Sequence, residues 1–212
     1  MQGKRYAKLP AAVFSVLCAF LLAGCGTAKT DTSMTNLQID KSGRITHTIV
    51  ETFDKDFYTV DGLEAMIQEE INDYDASFQN GEVLLENVVL SETEADEIVV
   101  TMQYSSGDVY AAFNDVELFF GTVAAARSAG YDLNVMLVDS TDATRTVKLS
   151  DLTGTDTNHI LITNQSIEIG LPYKVLYLSE EAQLVDGKTV SIQSQNEADS
   201  LKTDSLVYVI TK

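Results

Sequence analysis

Between Glu97 and Tyr104 the chain alternates in kind. Ile98, Val100, Met102 and Tyr104 are apolar, Glu97, Thr101 and Gln103 between them are polar, and Val99 is the exception. A period of two sends these sets to opposite faces of a strand. The chain therefore builds a sheet with one face in a core and the other in water. A second β-type run, Val83 to Leu90, precedes it across the polar connection Ser91–Asp96. Further upstream, Ile45, His47 and Ile49 share one face of the run Ile45–Thr52. Leu37 and Ile39 lie before the turn Lys41-Ser42-Gly43, so these two segments read as a hairpin.

One long helix interrupts the strands. Val60, Leu63, Ile67, Ile71 and Tyr74 recur at spacings of three and four, with Met66 at the edge of the stripe. Asp61 and Glu64 form a capping pair at its start, with a start one turn earlier at Thr59 as the alternative. Its outer face carries Glu64, Glu69, Glu70 and Asp73, of which the later acids oppose the helix dipole. Packing, not end electrostatics, must hold it.

Ser105–Asp108 starts a short helical turn through Phe113, and Val116–Phe120 is a buried run. A further helix covers Thr122–Ala129, with Gly130 at the left-handed C-cap position. From about Asp139 helical periodicity disappears. Short β-type runs follow at Thr146–Leu149, Ile160–Thr163, Ser166–Ile169, Lys174–Leu178, Thr189–Ile192 and Leu206–Ile210. Asp186-Gly187 is a two-residue hairpin signal. The fold class is α+β: an antiparallel sheet with two or three helices over 37–139, then a mostly β subdomain over 140–212. One continuous domain is the open alternative.

The 36 residues before this body have a different character. Lys4, Arg5 and Lys8 precede an uncharged, mostly apolar run from Ala11 to Leu22, shorter than the ~20 residues a membrane-spanning helix needs. It ends in Leu22-Ala23-Gly24-Cys25. That tetrapeptide resembles the lipobox of bacterial lipoproteins. The resemblance implies a signal peptide over 1–24, cut before Cys25, and a diacylglyceryl group on the Cys25 sulfur. Two acyl chains supply the two hydrophobic signals that stable anchoring requires. Residues 25–36 are polar and Thr-rich, a flexible tether spanning ~18 Å. The expected location is the extracytoplasmic face of the cell membrane, with the lipid on Cys25 as the membrane contact. In a Gram-negative envelope, Gly26 in place of a retention Asp would point to the outer membrane.

Composition excludes some partners. The chain has 32 Asp+Glu against 14 Lys+Arg, a net charge of −18, which argues against nucleic acid and against anionic lipid. Cys18 leaves with the signal, so Cys25 is the one cysteine of the mature chain and no disulfide supports the fold.

Catalytic constellations are missing. His47 and His159 are the two histidines, and each reads as a structural strand residue. No Gly-x-Ser-x-Gly elbow and no phosphate-cradling glycine loop occurs. Paired carboxylates of a glycan hydrolase are an alternative, but the chain has no Trp to form a sugar platform. The expectation is a non-enzymatic protein without a required cofactor.

Calcium is a further use for acids. Candidate oxygen ligands are Asp54 and Asp56 with Asp61, Asp73 and Asp75 with Asn72 and Asn80, and Asp151 and Asp156 with Asn158. None matches a twelve-residue calcium loop, and a solvated acidic surface is the plainer reading. Aromatics raise the last candidate. Tyr110, Phe113, Phe119, Phe120 and Tyr131 fall within 22 residues, with Tyr173 and Tyr177 beyond. Tyr110, Phe113 and Tyr131 would line a ligand groove, or else belong to a core. The segment Ile45–Glu51 followed by the acidic helix resembles uncharacterised surface lipoproteins of Gram-positive anaerobes, a resemblance that implies surface display and no catalytic residues. The expected function is binding of an unidentified protein or small ligand at the cell surface, with a structural or accessory envelope role as the alternative.

Overall fold

The computed structural model describes residues 34–54, 59–78, 81–91, 96–194 and 201–212. The signal segment, the Leu22–Cys25 lipobox, the tether up to residue 33, Asp56 and Asn80 lie outside the described residues. Among those described, the chain forms thirteen strands in two sheets and three α-helices, an α+β fold with mostly antiparallel pairing.

The first strands form as their alternation dictates. β1 (Asn36–Ile39) and β2 (Ile45–Thr52) make an antiparallel hairpin. In its turn the Asp40 carboxylate accepts hydrogen bonds from Ser42 N and Arg44 N, and Gly43 takes φ +83°. The helix α1 (Val60–Phe78) begins at the earlier alternative, since Thr59 Oγ1 accepts from Gly62 N at 3.1 Å. β3 (Val83–Leu90) and β4 (Glu97–Tyr104) pair as expected, with a bulge between Leu85 and Asn87. The helix α2 (Gly107–Asn114) is capped by Ser106, which accepts from Val109 N. β5 (Leu118–Thr122) leads into α3 (Val123–Ser128), capped by Thr122, and Gly130 follows at φ +92°.

Beyond residue 130 the strands are short. They are β6 (Met136–Asp139), β7 (Asp142–Lys148), β8 (His159–Gln165) and β9 (Glu168–Gly170). β10 (Val175–Leu178), β11 (Ala182–Leu184), β12 (Thr189–Ile192) and β13 (Lys202–Thr211) complete the set. Asp186-Gly187 does lie between β11 and β12, but the connection is the four residues Val185–Lys188 rather than a two-residue turn, because Val185 N and Asp186 N both donate to Thr189 O. β6 and β11 escape sequence reading because Met136-Leu137-Val138 is apolar without alternation and Ala182-Gln183-Leu184 alternates only once, so pairing alone defines them. β13 starts four residues before its apolar run, because Lys202 pairs with Gln165 across an irregularity.

The larger sheet has the order β11-β12-β9-β1-β2-β4-β3, and the smaller β5-β8-β13-β10-β6-β7. One neighbouring pair, β1 with β9, is parallel. Both sheets take strands from each side of residue 140, so the change in composition there marks a change of local element type rather than a division between sheets. Asn36, assigned above to the tether, already belongs to β1, and Thr35 before it is tied to β2 through its side chain. Thr35 Oγ1 accepts from Val50 N at 2.9 Å, and Asn36 pairs with Thr48.

Two cores stack these elements in layers. One face of the larger sheet (Leu37, Ile45, Val100, Tyr104) packs with α1, α2 and one face of the smaller sheet (Leu161, Val209). The other face of the smaller sheet (Ile160, Ile162, Ile210) packs with α3, Leu137 and Leu149. The strict alternation Val207 and Val209 against Tyr208 and Ile210 serves both cores from β13.

Gly81, between α1 and β3, has φ +154°, and a Cβ there would meet Val109 Cγ2 and Ser105 Oγ, each at 2.5 Å. Backbone and space both require glycine. Gly81→Ala should destabilise the fold by about 2 kcal/mol, read as a lowered urea midpoint.

Candidate binding face

Three of the four sheet faces are accounted for by the two cores. The fourth, the outer face of the larger sheet, is covered by no helix and no second sheet among the described residues. Its composition follows from register. Thr46, Thr48 and Val50 alternate with the inward Ile45, His47 and Ile49 on β2. Opposite them on β4 stand Gln103, Thr101 and Val99. On the other side, Gln38 of β1 faces Thr46, and Asn36 faces Thr48.

The rows continue across the sheet. Gln38 pairs with Gly170 and onward to Thr189, whereas Asn36 pairs with Glu168 and onward to Ser191 and Gln183. Gly170 leaves room for Gln38, whose side chain a Cβ at that position would strike. Toward β3 the rows end in Leu84, Asn87 and Val89. Neighbouring strands lie ~4.8 Å apart and successive outward residues ~6.8 Å apart. Hydroxyls and amides therefore form a regular two-dimensional array, with a valine row (Val50, Val99, Val89) along one side.

Charge enters the array at Glu168 in the central row, at Glu97 opposite Thr52, and at Glu86 and Arg44 around Gln103. Arg44 Nη1 donates to Gln103 Oε1 at 3.4 Å, and Gln103 Nε2 donates to Glu86 Oε1 at 2.5 Å. Asn36 stands out. It is 4% exposed, its Nδ2 donates to Met34 O at 2.8 Å, and its Oδ1 is buried without a hydrogen-bond donor. Buried acceptors are nearly always paired, so this oxygen needs a reason. Sequence reading missed Asn36 because it falls in a polar stretch that resembles the tether. The alternation that places Thr46, Thr48, Thr101 and Gln103 outward was visible.

The aromatic candidates lie elsewhere. Tyr110 is wholly buried in the core between the sheets, where its hydroxyl donates to Gln165 Oε1 at 2.5 Å. Burial pushes that phenol well above its usual range. Its ring makes edge contacts with Tyr104 at 4.9 Å and His47 at 5.5 Å, and Tyr104 meets Phe113, which meets Tyr74. Tyr110 and Phe113 are thus joined through Tyr104. Tyr131 packs on Phe119 in the second core, on the far side of the smaller sheet. The three do not share a surface.

His47 is 8% exposed, with both ring nitrogens lacking a hydrogen-bond partner. Burial lowers its pKa to about 4. His159 lies stacked between Phe120 at 5.5 Å and Tyr173 at 4.5 Å. The two histidines belong to different sheets.

The acids remain scattered. Asp61, Asp73 and Asp75 are exposed on α1, Asp156 pairs with Arg127 at 2.9 Å, and Asp151 accepts from Ser150 Oγ. Asp54 lies just past β2. Among the described residues no group of three or more His, Cys, Asp or Glu side chains is placed to hold a metal ion. No family model matches the chain, and neither a curated protein nor a solved structure is significantly similar to it.

Proposed function

We propose that this chain is a lipid-anchored extracytoplasmic protein that works by binding rather than catalysis, and that its working surface is the outer face of the larger sheet. One observation carries the reading: of the four sheet faces this one lacks a covering layer among the described residues, and it presents rows of threonine, asparagine and glutamine side chains in register. Anchoring is supported by the tetrapeptide ending at Cys25. No helix of the described residues is long and apolar enough to cross a membrane. The lipid would then be the attachment, and the tether would lead directly into β1.

Cys25→Ser tests the anchor. In cells fed radiolabelled palmitate, the variant should lose the label and move more than tenfold from the membrane to the soluble fraction. Unchanged labelling and retention would overturn the anchored reading.

A second reading has its own observation. β3 is the edge of the larger sheet, and Leu84, Val89 and Leu90 on it are 41–55% exposed. An apolar edge strand suits an accessory role through strand addition by a protein partner. Blocking that edge with Leu90→Lys, which stands in register with the inward Ile98 rather than in the outer valine row, would abolish such a contact and leave the outward rows unchanged.

A further inference from the structure

β3 ends the larger sheet, and the charge around that edge selects what can pair with it, granted the second reading above of β3 as a site of strand addition. We infer that β3 takes an extended, cationic protein segment, a strand with lysine or arginine on one face and apolar side chains on the other.

The hydrogen-bond ladder shows which backbone groups are on offer. Ser105 N donates to Glu82 O, and Ser91 N donates to Glu97 O. With the register of β3 on β4, these bonds make Glu82, Leu84, Asn87 and Val89 the residues bonded to β4. The N–H and C=O groups of Val83, Leu85, Val88 and Leu90 therefore point away from β4, where no strand of the described residues meets them. Side chains mark the same edge, since Leu84, Val89 and Leu90 are large, apolar and exposed. The other three sheet edges are short, charged or covered. β11 has three residues, β7 carries Asp142, Arg145 and Lys148, and α2 and α3 pack against β5.

Charge decides the occupant. Between Lys55 and Arg127 the sequence holds sixteen acids and no Lys or Arg, half of all its Asp and Glu. α1, β3, β4 and α2 all lie in that stretch. Glu82 and Glu86 are exposed on β3 or at its start, and α1, which packs against β3, exposes Glu64, Glu69, Glu70 and Asp73. Neither ion pair among the described residues, Arg127 with Asp156 or Arg145 with Asp139, draws on these acids. Arg44 donates to Gln103, which stands between it and Glu86 and itself donates to that carboxylate. An incoming strand lies ~4.8 Å from β3. Its lysines on the outer side lay their methylene stems on Leu84 and Val89 and carry the ammonium toward Glu86. Its apolar side chains continue the inward face beside Leu85 and Leu90. A second copy of the chain fits poorly, because pairing β3 with its mate would bring both Glu86 carboxylates to one seam and set two chains of net charge −18 edge to edge. The bulge between Leu85 and Asn87 acts in the same sense, since bulged and charged edges resist self-pairing.

The test titrates the full chain, in micelles of a neutral detergent at low salt, with three octapeptides followed by amide chemical shifts. One alternates Lys and Val, one alternates Glu and Val, and one alternates Lys and Pro, which keeps the charge but lacks every second N–H. The Lys-Val peptide should shift the amides of Val83, Leu85, Val88 and Leu90 saturably, and bind at least tenfold tighter than either of the others. Raising the salt about tenfold should weaken it about threefold or more. Leu90→Lys and Glu86→Lys should each weaken it at least fivefold, and Ala143→Lys on β7 should leave it unchanged. Should either β3 variant lose its fold, the salt dependence and the comparison of peptides on the unaltered chain still decide.

The outcomes separate this inference from the strand-addition reading beneath it. Equal or tighter binding of the Glu-Val peptide at the same amides removes the cationic partner and keeps β3 as an edge for strand addition. Concentration-dependent shifts of those amides with no peptide present give the edge to a second copy, which likewise overturns the inference and keeps the reading. Equal binding of the Lys-Pro peptide leaves charge alone as the attraction and overturns both. No saturable shift at β3 with any peptide at about 5 mM, or shifts confined to other surfaces, also overturns both.

Discussion

Replacing His47 with leucine is expected to raise stability at pH 7 by about 1–2 kcal/mol and to flatten its loss in acid. The ring sits on β2 between Leu37 and Met102 in register, under the edge of the Tyr110 ring. Both of its nitrogens gave up water for no hydrogen bond, a cost of about 1–3 kcal/mol that an apolar side chain of similar size avoids. The pH dependence follows from the same burial. The folded protein holds the imidazole neutral down to about pH 4, whereas the unfolded chain protonates it near 6.5. Between those values the unfolded state binds more protons, so stability falls as pH drops from 6.5 toward 4. The loss reaches about 2 kcal/mol by pH 5 and about 3 kcal/mol below pH 4. For a chain of this size, 2 kcal/mol lowers the melting temperature by about 4–8 °C. Scanning calorimetry of both proteins from pH 7.5 to 4.5 isolates this group, since the carboxylates are common to both. Equal slopes for the two would refute the account of a neutral, unpaired His47.

Tyr110→Ala is expected to be the most damaging single change, at about 3–5 kcal/mol. The side chain has no exposed surface, and removing it leaves a cavity between the sheets, strips Tyr104 and His47 of a ring partner, and orphans the Gln165 oxygen. That is a large part of the 5–15 kcal/mol available to a typical domain. Tyr110→Phe isolates the hydroxyl and should cost about 1–3 kcal/mol, since the Gln165 acceptor then loses its donor. Urea denaturation at pH 7 reads both. A side chain lining an open ligand groove would behave differently, with alanine costing under about 1 kcal/mol and phenylalanine almost nothing. That outcome would return Tyr110 to the binding surface.

The elements were legible to differing degrees, and for physical reasons. The hairpin of β1 and β2, the pair β3 and β4, and α1 appear in the sequence because each buries one face and wets the other, which writes a period of 2 or 3.6 into the residues. α2 and α3 were visible from Ser106, Thr122 and Gly130 at their ends. β6 and β11 were not, because Met136–Val138 is apolar without alternation and Ala182–Leu184 alternates only once. The split suggested at residue 140 follows local pattern alone. It could not reveal that β9 would pair in parallel with β1, 130 residues away in the chain, since a strand's side chains do not name its neighbour. The aromatics show the same limit: closeness in sequence joined Tyr110 and Tyr131, and the smaller sheet put them in different cores.

What the residues determined by themselves is local: which faces of β2 and β4 turn to water, where the helices begin, and the cysteine-terminated leader that suggests a lipid. These follow from side-chain polarity and turn chemistry within a few positions. Only the tertiary structure decided that the outward threonines and amides of separate strands form one continuous face, that no layer of the described residues covers it, and that Asn36 is buried there with an oxygen unpaired. Strand order and layer packing depend on how distant segments fill a shared volume, and that is a property of the whole chain rather than of any window along it.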